Sequence, residues 1–122
     1  MKKKNLPNNF IIDIDGVMTD GQMVYSKNKK KFKIFGPDDN DALKILKKYL
    51  NIIFITADKR GFLITKRRIQ QDMKMKLYLV NGRDRKNILQ KKYDLSKSIF
   101  MGDGIFDYLV MKKCFYSITV KD

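Results

Sequence analysis

Short apolar runs alternate with longer amphipathic ones along this chain. Residues 10–14 (FIIDI) are largely apolar and β-branched, and they run into acidic and glycine residues. That pattern predicts a buried strand followed by a loop. Residues 22–26 and 31–35 predict the two arms of a hairpin, with 27–30 at its turn. Gly36-Pro37 then breaks the chain, and Asp38 or Asp39 can cap the helix that follows. On that helix Ala42, Leu43, Leu46, Tyr49 and Leu50 form one apolar face. Residues 52–55 predict a second buried strand. A helix over 60–72 puts Leu63, Ile64 and Ile69 inward. A third strand spans 77–80 and ends at Asn81-Gly82, and a helix follows over 84–93. A fourth strand at 99–101 leads into the tight loop Gly102-Asp103-Gly104. A short helix over 105–113 and a last strand over 115–120 complete the pattern.

Alternating strands and helices predict parallel strands joined by right-handed crossovers. The expected fold is therefore α/β: one three-layer, Rossmann-like domain over residues 1–122 with a central, mainly parallel sheet and a hairpin insertion at about 22–35. Ligands of such sheets bind outside the carboxyl ends of the strands. That rule selects 13–21, 56–60, 81–86 and 102–107.

Composition narrows the chemistry. The chain has 122 residues, the size of one domain. It has no histidine and a single cysteine, Cys114. This excludes Ser–His and Cys–His catalysis, His-ligated zinc, CxxC redox chemistry and an internal disulfide framework. A lone thiol suits a reducing compartment, so a cytoplasmic location is expected. The longest apolar runs are too short to span a membrane, and the start of the chain does not read as a signal peptide. Lys and Arg number 27 against 13 Asp and Glu, a formal charge of +14. Such a surface attracts anions, whether phosphorylated metabolites or nucleic acid. The basic clusters at 2–4, 27–33 and 66–68 do not join into one stripe with interleaved aromatics, so nucleic acid is possible and not favoured.

The acidic residues carry more information. Asp13, Asp15 and Asp20 fall within DIDGVMTDG, which begins at the end of the first strand. A loop at a strand end can turn Asp13 and Asp15 toward one point, where they repel unless a cation or a proton lies between them. A hard cation such as Mg²⁺ suits such oxygen ligands. One carboxylate can then attack a phosphoryl group while the other shuttles a proton. A second acidic pair, Asp103 and Asp107, follows another strand end in GDGIFD.

Together DxDGVxTDG, a threonine after the second strand, a lysine at a helix start and GDxxxD resemble the haloacid dehalogenase superfamily. The closer resemblance is to its capless sugar-phosphate phosphatases, of the 3-deoxy-manno-octulosonate 8-phosphate and acylneuraminate 9-phosphate phosphatase kind. The four motifs fall in family order over residues 10–120. The resemblance implies a Mg²⁺-dependent phosphomonoester hydrolase. It implies Asp13 as the nucleophile that forms an aspartyl-phosphate and Asp15 as the general acid/base, whose backbone carbonyl also binds Mg²⁺. Thr56 would bond the transferring phosphoryl group, and Lys86 would neutralise charge on nucleophile and phosphate. Lys86 is preferred over Arg85 or Arg83 for its place at the helix start. Asp103 would ligate the metal, with Asp107 supporting it. The backbone N–H near Gly16 would add a phosphate donor. Family members of this kind also imply a hairpin in place of a cap and a homotetramer, in which Tyr25, Phe32, Ile34 and Phe35 suit either a neighbour's surface or the chain's own core.

Two stretches depart from the family pattern. Where relatives carry Arg-Asp-Gly, this chain reads FGPDDND, and the motif at Thr56 reads TADKR. Asp39 and Lys59, in these stretches, are the expected substrate contacts. The acidic run fits a hydroxyl-rich or cationic substrate, or simply a helix start stabilised by acids. A small phosphorylated molecule, most simply a sugar phosphate, is the expected substrate. Alternatives are a phosphatase of nucleotides or nucleic-acid 3′-phosphate ends, and a non-catalytic domain for binding or assembly.

Overall fold

The computed structural model describes residues 6–28 and 30–120. Lys29 at the expected hairpin turn and the basic cluster at 2–4 lie outside them. In chain order the elements are β1 (Asn9–Asp13), β2 (Val24–Tyr25), β3 (Lys30–Phe32), α1 (Asp38–Leu46), β4 (Asn51–Thr56), α2 (Phe62–Lys66), β5 (Lys76–Leu79), α3 (Arg85–Lys92), β6 (Ser98–Met101), α4 (Asp107–Met111) and β7 (Tyr116–Ile118). Five strands form one parallel sheet in the order β5-β4-β1-β6-β7. β2 and β3 pair separately as an antiparallel hairpin.

Strand alternation sorts the core into two layers. Phe10, Ile12 and Ile14 face one cluster, together with Leu43 of α1 and Ile69. Ile11 faces the other, with Leu89 of α3 and Val110 of α4. Helices thus cover both faces, and β1 and β4 are buried on both sides, as parallel sheets require. Each fully buried Ile or Phe contributes roughly 1.5–3 kcal/mol, which explains why the most apolar runs take the centre.

The chain builds β4 and β5 on one side of β1, then returns to build β6 and β7 on the other. The reversal opens a crevice at the carboxyl ends of β1 and β6.

Several expectations shift. Tyr49, placed on the apolar face of the first helix, is 77% exposed. α1 ends at Leu46, so the helical period no longer carries Tyr49 inward. Neither Asp38 nor Asp39 caps α1 with its side chain; both lie in its first turn, where the helix dipole favours acids. α2 continues as a wider π-helical segment, Arg67–Asp72. Thr65 and Ile69 are its buried positions, and Leu63 is 79% exposed. Among the described residues no helix is long and apolar enough to cross a membrane.

Candidate active site

Asp13 is the last residue of β1 and shares the strand face of Ile11, the side covered by α3 and α4. Three groups meet it there. Arg85 arrives from the start of α3, Asp107 from the start of α4, and Asp103 from the loop after β6. Asp13, Asp103 and Asp107 each offer a carboxylate oxygen, all within 4.8 Å of one another. The Arg85 guanidinium makes a short hydrogen-bonded ion pair with Asp107 and lies 3.6 Å from Asp13 Oδ1. The Gly104 N–H donates to the other Asp107 oxygen at 2.9 Å. Gly16 makes room for the cluster. Its φ is +85°, and a Cβ there would lie 2.0 Å from Asp103 Oδ2.

The electrostatics are unbalanced. Burial pushes the Asp13 carboxyl up to about 7, Arg85 pulls it down, and the neighbouring Asp107 and Asp103 push it up. Three carboxylate oxygens converge on one point, and an all-oxygen donor set suits a hard ion of the Mg²⁺ class. The residues fit a metal, with Asp13, Asp103 and Asp107 able to hold it.

Asp15 belongs to a different cluster. Its Oδ2 accepts a hydrogen bond from the Thr56 hydroxyl at 3.2 Å. Its Oδ1 lies 2.9 Å from the Lys33 ammonium, at an angle that makes this an ion pair and not a hydrogen bond. Lys33 also lies 2.8 Å from Asp58 Oδ2 and donates to the Thr65 hydroxyl at 2.9 Å. The Asp58 N–H donates to Thr56 Oγ1 at 3.1 Å, which ties the loop after β4 into the same network.

No family model matches the chain, and no curated protein matches it in sequence. Solved structures do. The cobalt-bound deoxy-D-mannose-octulosonate 8-phosphate phosphatase of Haemophilus influenzae superposes with a TM-score of 0.80 at 23% identity, over 99% of this chain and 72% of that one. The 3-deoxy-D-manno-octulosonate 8-phosphate phosphatase of Moraxella catarrhalis, solved with magnesium, phosphate and KDO, gives 0.73 at 20% identity over 93% and 67%. A structure assigned to the HAD family of hydrolases, from Streptomyces avermitilis, gives 0.74 at 15% identity over 98% and 69%. This chain has the haloacid dehalogenase fold.

Within that fold the residues named from sequence divide. Asp13, Asp103 and Asp107 come together. Asp15 and Thr56 also meet, through a direct hydrogen bond. The Asp15 carboxylate is not in the acidic triad, since Lys33 and Thr56 occupy it; only its backbone carbonyl is left for the metal role expected of it. The Gly16 N–H donates to Thr19 Oγ1 at 3.2 Å, so the visible use of Gly16 is its missing side chain. Asp20 stays outside, exposed, and accepts from the Gln22 N–H.

Lys86 is half-buried, and among the described residues the cation paired with Asp13 and Asp107 is Arg85. The helical turn after Gly82 aims Arg85 inward, one position before the expected residue. Lys59 is exposed, and its neighbour Asp58 reaches the site instead. Asp39 lines a cavity of about 140 Å³ with Phe10, Ile12 and Met18, on the face of β1 away from Asp13. Lys33 and Asp58 are not among the residues named from sequence, which also prefers Lys86 over Arg85. Asp58 within TADKR and Lys33 at the end of the basic cluster 27–33 are the signals that could have marked them.

Proposed function

We propose that this protein is a metal-dependent phosphomonoester hydrolase acting on a small phosphate ester, most simply a sugar phosphate. The observation that carries this reading is the convergence of the Asp13, Asp103 and Asp107 carboxylates at the switch point of a haloacid dehalogenase fold, with another carboxylate, Asp15, two residues beyond Asp13. Asp13 attacks phosphorus, and the bond to the leaving oxygen breaks. Asp15 gives that oxygen a proton. Asp15 then takes a proton from water as the water oxygen attacks the aspartyl-phosphate, which frees Asp13 and phosphate. Arg85 sets charge against Asp13 throughout. When bound, Mg²⁺ supplies positive charge against the nucleophile and the phosphoryl oxygens.

The sugar-phosphate reading draws on the two octulosonate phosphatases above, which share this fold. A homo-oligomer is consistent with the hairpin, where Val24, Tyr25, Phe32 and Ile34 are exposed while Phe35 packs on the core. Burial pushes the thiol of half-buried Cys114 up to about 11, which lowers its thiolate fraction at neutral pH.

The test is phosphate release from a panel of sugar phosphates and nucleotides, in Mg²⁺ and in EDTA. Release from a sugar phosphate that disappears in EDTA and in Asp13→Asn is the expected result. A best substrate among the nucleotides would replace the sugar reading. No metal-dependent release from folded protein across the panel would overturn the hydrolase.

A further inference from the structure

The hairpin raises a physical question. Its two strands span two and three residues, and a two-stranded ribbon of that size is marginal by itself. Its apolar residues Val24, Phe32 and Ile34 point to solvent. Yet the Lys33 side chain, between Phe32 and Ile34, is fully buried. Burying an ammonium is costly unless charge and hydrogen bonds compensate it. Here the nitrogen donates a hydrogen bond to the Thr65 hydroxyl, and the Asp15 and Asp58 carboxylates lie within 2.9 Å of it as ion pairs.

The partners come from three elements: the loop after β1, the loop after β4, and α2. Each is fixed in turn. Asp58 Oδ1 accepts the Gly61 N–H at 3.1 Å, and the Thr65 hydroxyl donates to the Gly61 carbonyl at 3.3 Å. Gly61 also leaves no room for a side chain. A Cβ there would lie 2.3 Å from Asp58 Oδ2 and 2.9 Å from Lys33 Cε. The backbone of Gly61 is in an ordinary region (φ −98°), so what an alanine disturbs is this contact.

We infer that Lys33 is a positioning residue, which docks the hairpin and orients the Asp15 carboxylate in one event. This rests on the hydrolase reading, in which Asp15 handles the proton. With Thr56 on Oδ2 and Lys33 against Oδ1, the carboxylate cannot rotate without breaking a contact. Oδ1 is buried against Lys33, which leaves Oδ2, with an acceptor site beside the Thr56 hydrogen bond, to carry the proton. A hairpin that lifts removes Lys33 and leaves Asp15 free to turn. Site orientation is therefore coupled to a surface element that contributes no ligand to the acidic triad.

Two measurements test this. The first is amine acylation by acetic anhydride, read by mass spectrometry. Lys33 should react at least ~10-fold more slowly than exposed Lys91, because its burial must be undone before attack. Gly61→Ala should narrow that gap. Equal rates in the wild type would overturn the docking. The second is steady-state hydrolysis of p-nitrophenyl phosphate in Mg²⁺. Lys33→Met should lower kcat about 10²-fold with KM within about twofold, the signature of a misplaced catalytic group. Lys33→Arg should restore most of the loss, and Gly61→Ala, which keeps the lysine, should show a smaller loss of the same kind. An unchanged kcat in folded Lys33→Met, or no rescue by arginine, would overturn the positioning role. Wild-type protein without Asp13-dependent hydrolysis would overturn the hydrolase reading and the catalytic half of this inference, while the acylation rates still decide the docking.

Discussion

Two charge clusters grow from the end of β1, two residues apart, and they are built differently. At Asp13 three carboxylates share one guanidinium, and burial holds the Asp13 carboxyl at about 7. At Asp15 two carboxylates share one ammonium, which lies within 2.9 Å of both. The first gathers three carboxylate oxygens in the arrangement of a hard-metal site. The second closes around a lysine of the hairpin. Adjacent acids in one motif thus take separate tasks, because what surrounds each carboxylate differs.

The comparison can be broken most sharply at Asp13. Asp13→Asn removes the nucleophile, and phosphate release should fall at least ~10³-fold. The same variant tests the raised Asp13 carboxyl without any turnover. In EDTA, the raised Asp13 carboxyl keeps a proton in the folded state that the unfolded chain gives up. Its contribution to stability is therefore full below about 3.8 and is lost as pH rises through about 7, by an amount on the order of 4 kcal/mol. Melting in EDTA should show Asp13→Asn gaining on the wild type from pH 4 to pH 8. Added Mg²⁺ should then raise the wild-type melting temperature at pH 8 more than that of the variant.

Arg85→Met comes next. It strips the cation from Asp107, which is fully buried, and should cost roughly 3 kcal/mol in denaturant unfolding. Asp58→Asn removes one of two carboxylates from Lys33 and should cost about 1–3 kcal/mol. Lys86→Met is the smallest, within about 0.5 kcal/mol, because Arg85 already holds the acidic cluster. If Lys86→Met destabilised as much as Arg85→Met, the pairing at the start of α3 would be wrong by one residue.

Much of this molecule follows from local rules. The five apolar runs became the five strands of one parallel sheet, since β-branched runs bounded by Gly and Asp have few other uses. Acidic residues at two strand ends pointed to Asp13, Asp103 and Asp107, and the fold brings them within reach of one ion. The strand pattern put Thr56 just after the second strand, and the fold sets that strand beside β1, where Thr56 meets Asp15. These features are visible in sequence because strand period and strand ends are short-range properties.

What the chain order could not settle is which long side chain fills a given space. Arg85 and Lys86 are adjacent cations at one helix start, and a rotation of about 100° per residue decides which faces Asp13. Lys59 and Asp58 pose the same choice after β4. Lys33 lies 18 residues beyond Asp15 and 25 before Asp58, so no local pattern joins them. Only the docked hairpin brings its ammonium between the two carboxylates, where the loss of water makes their attraction strong enough to hold it.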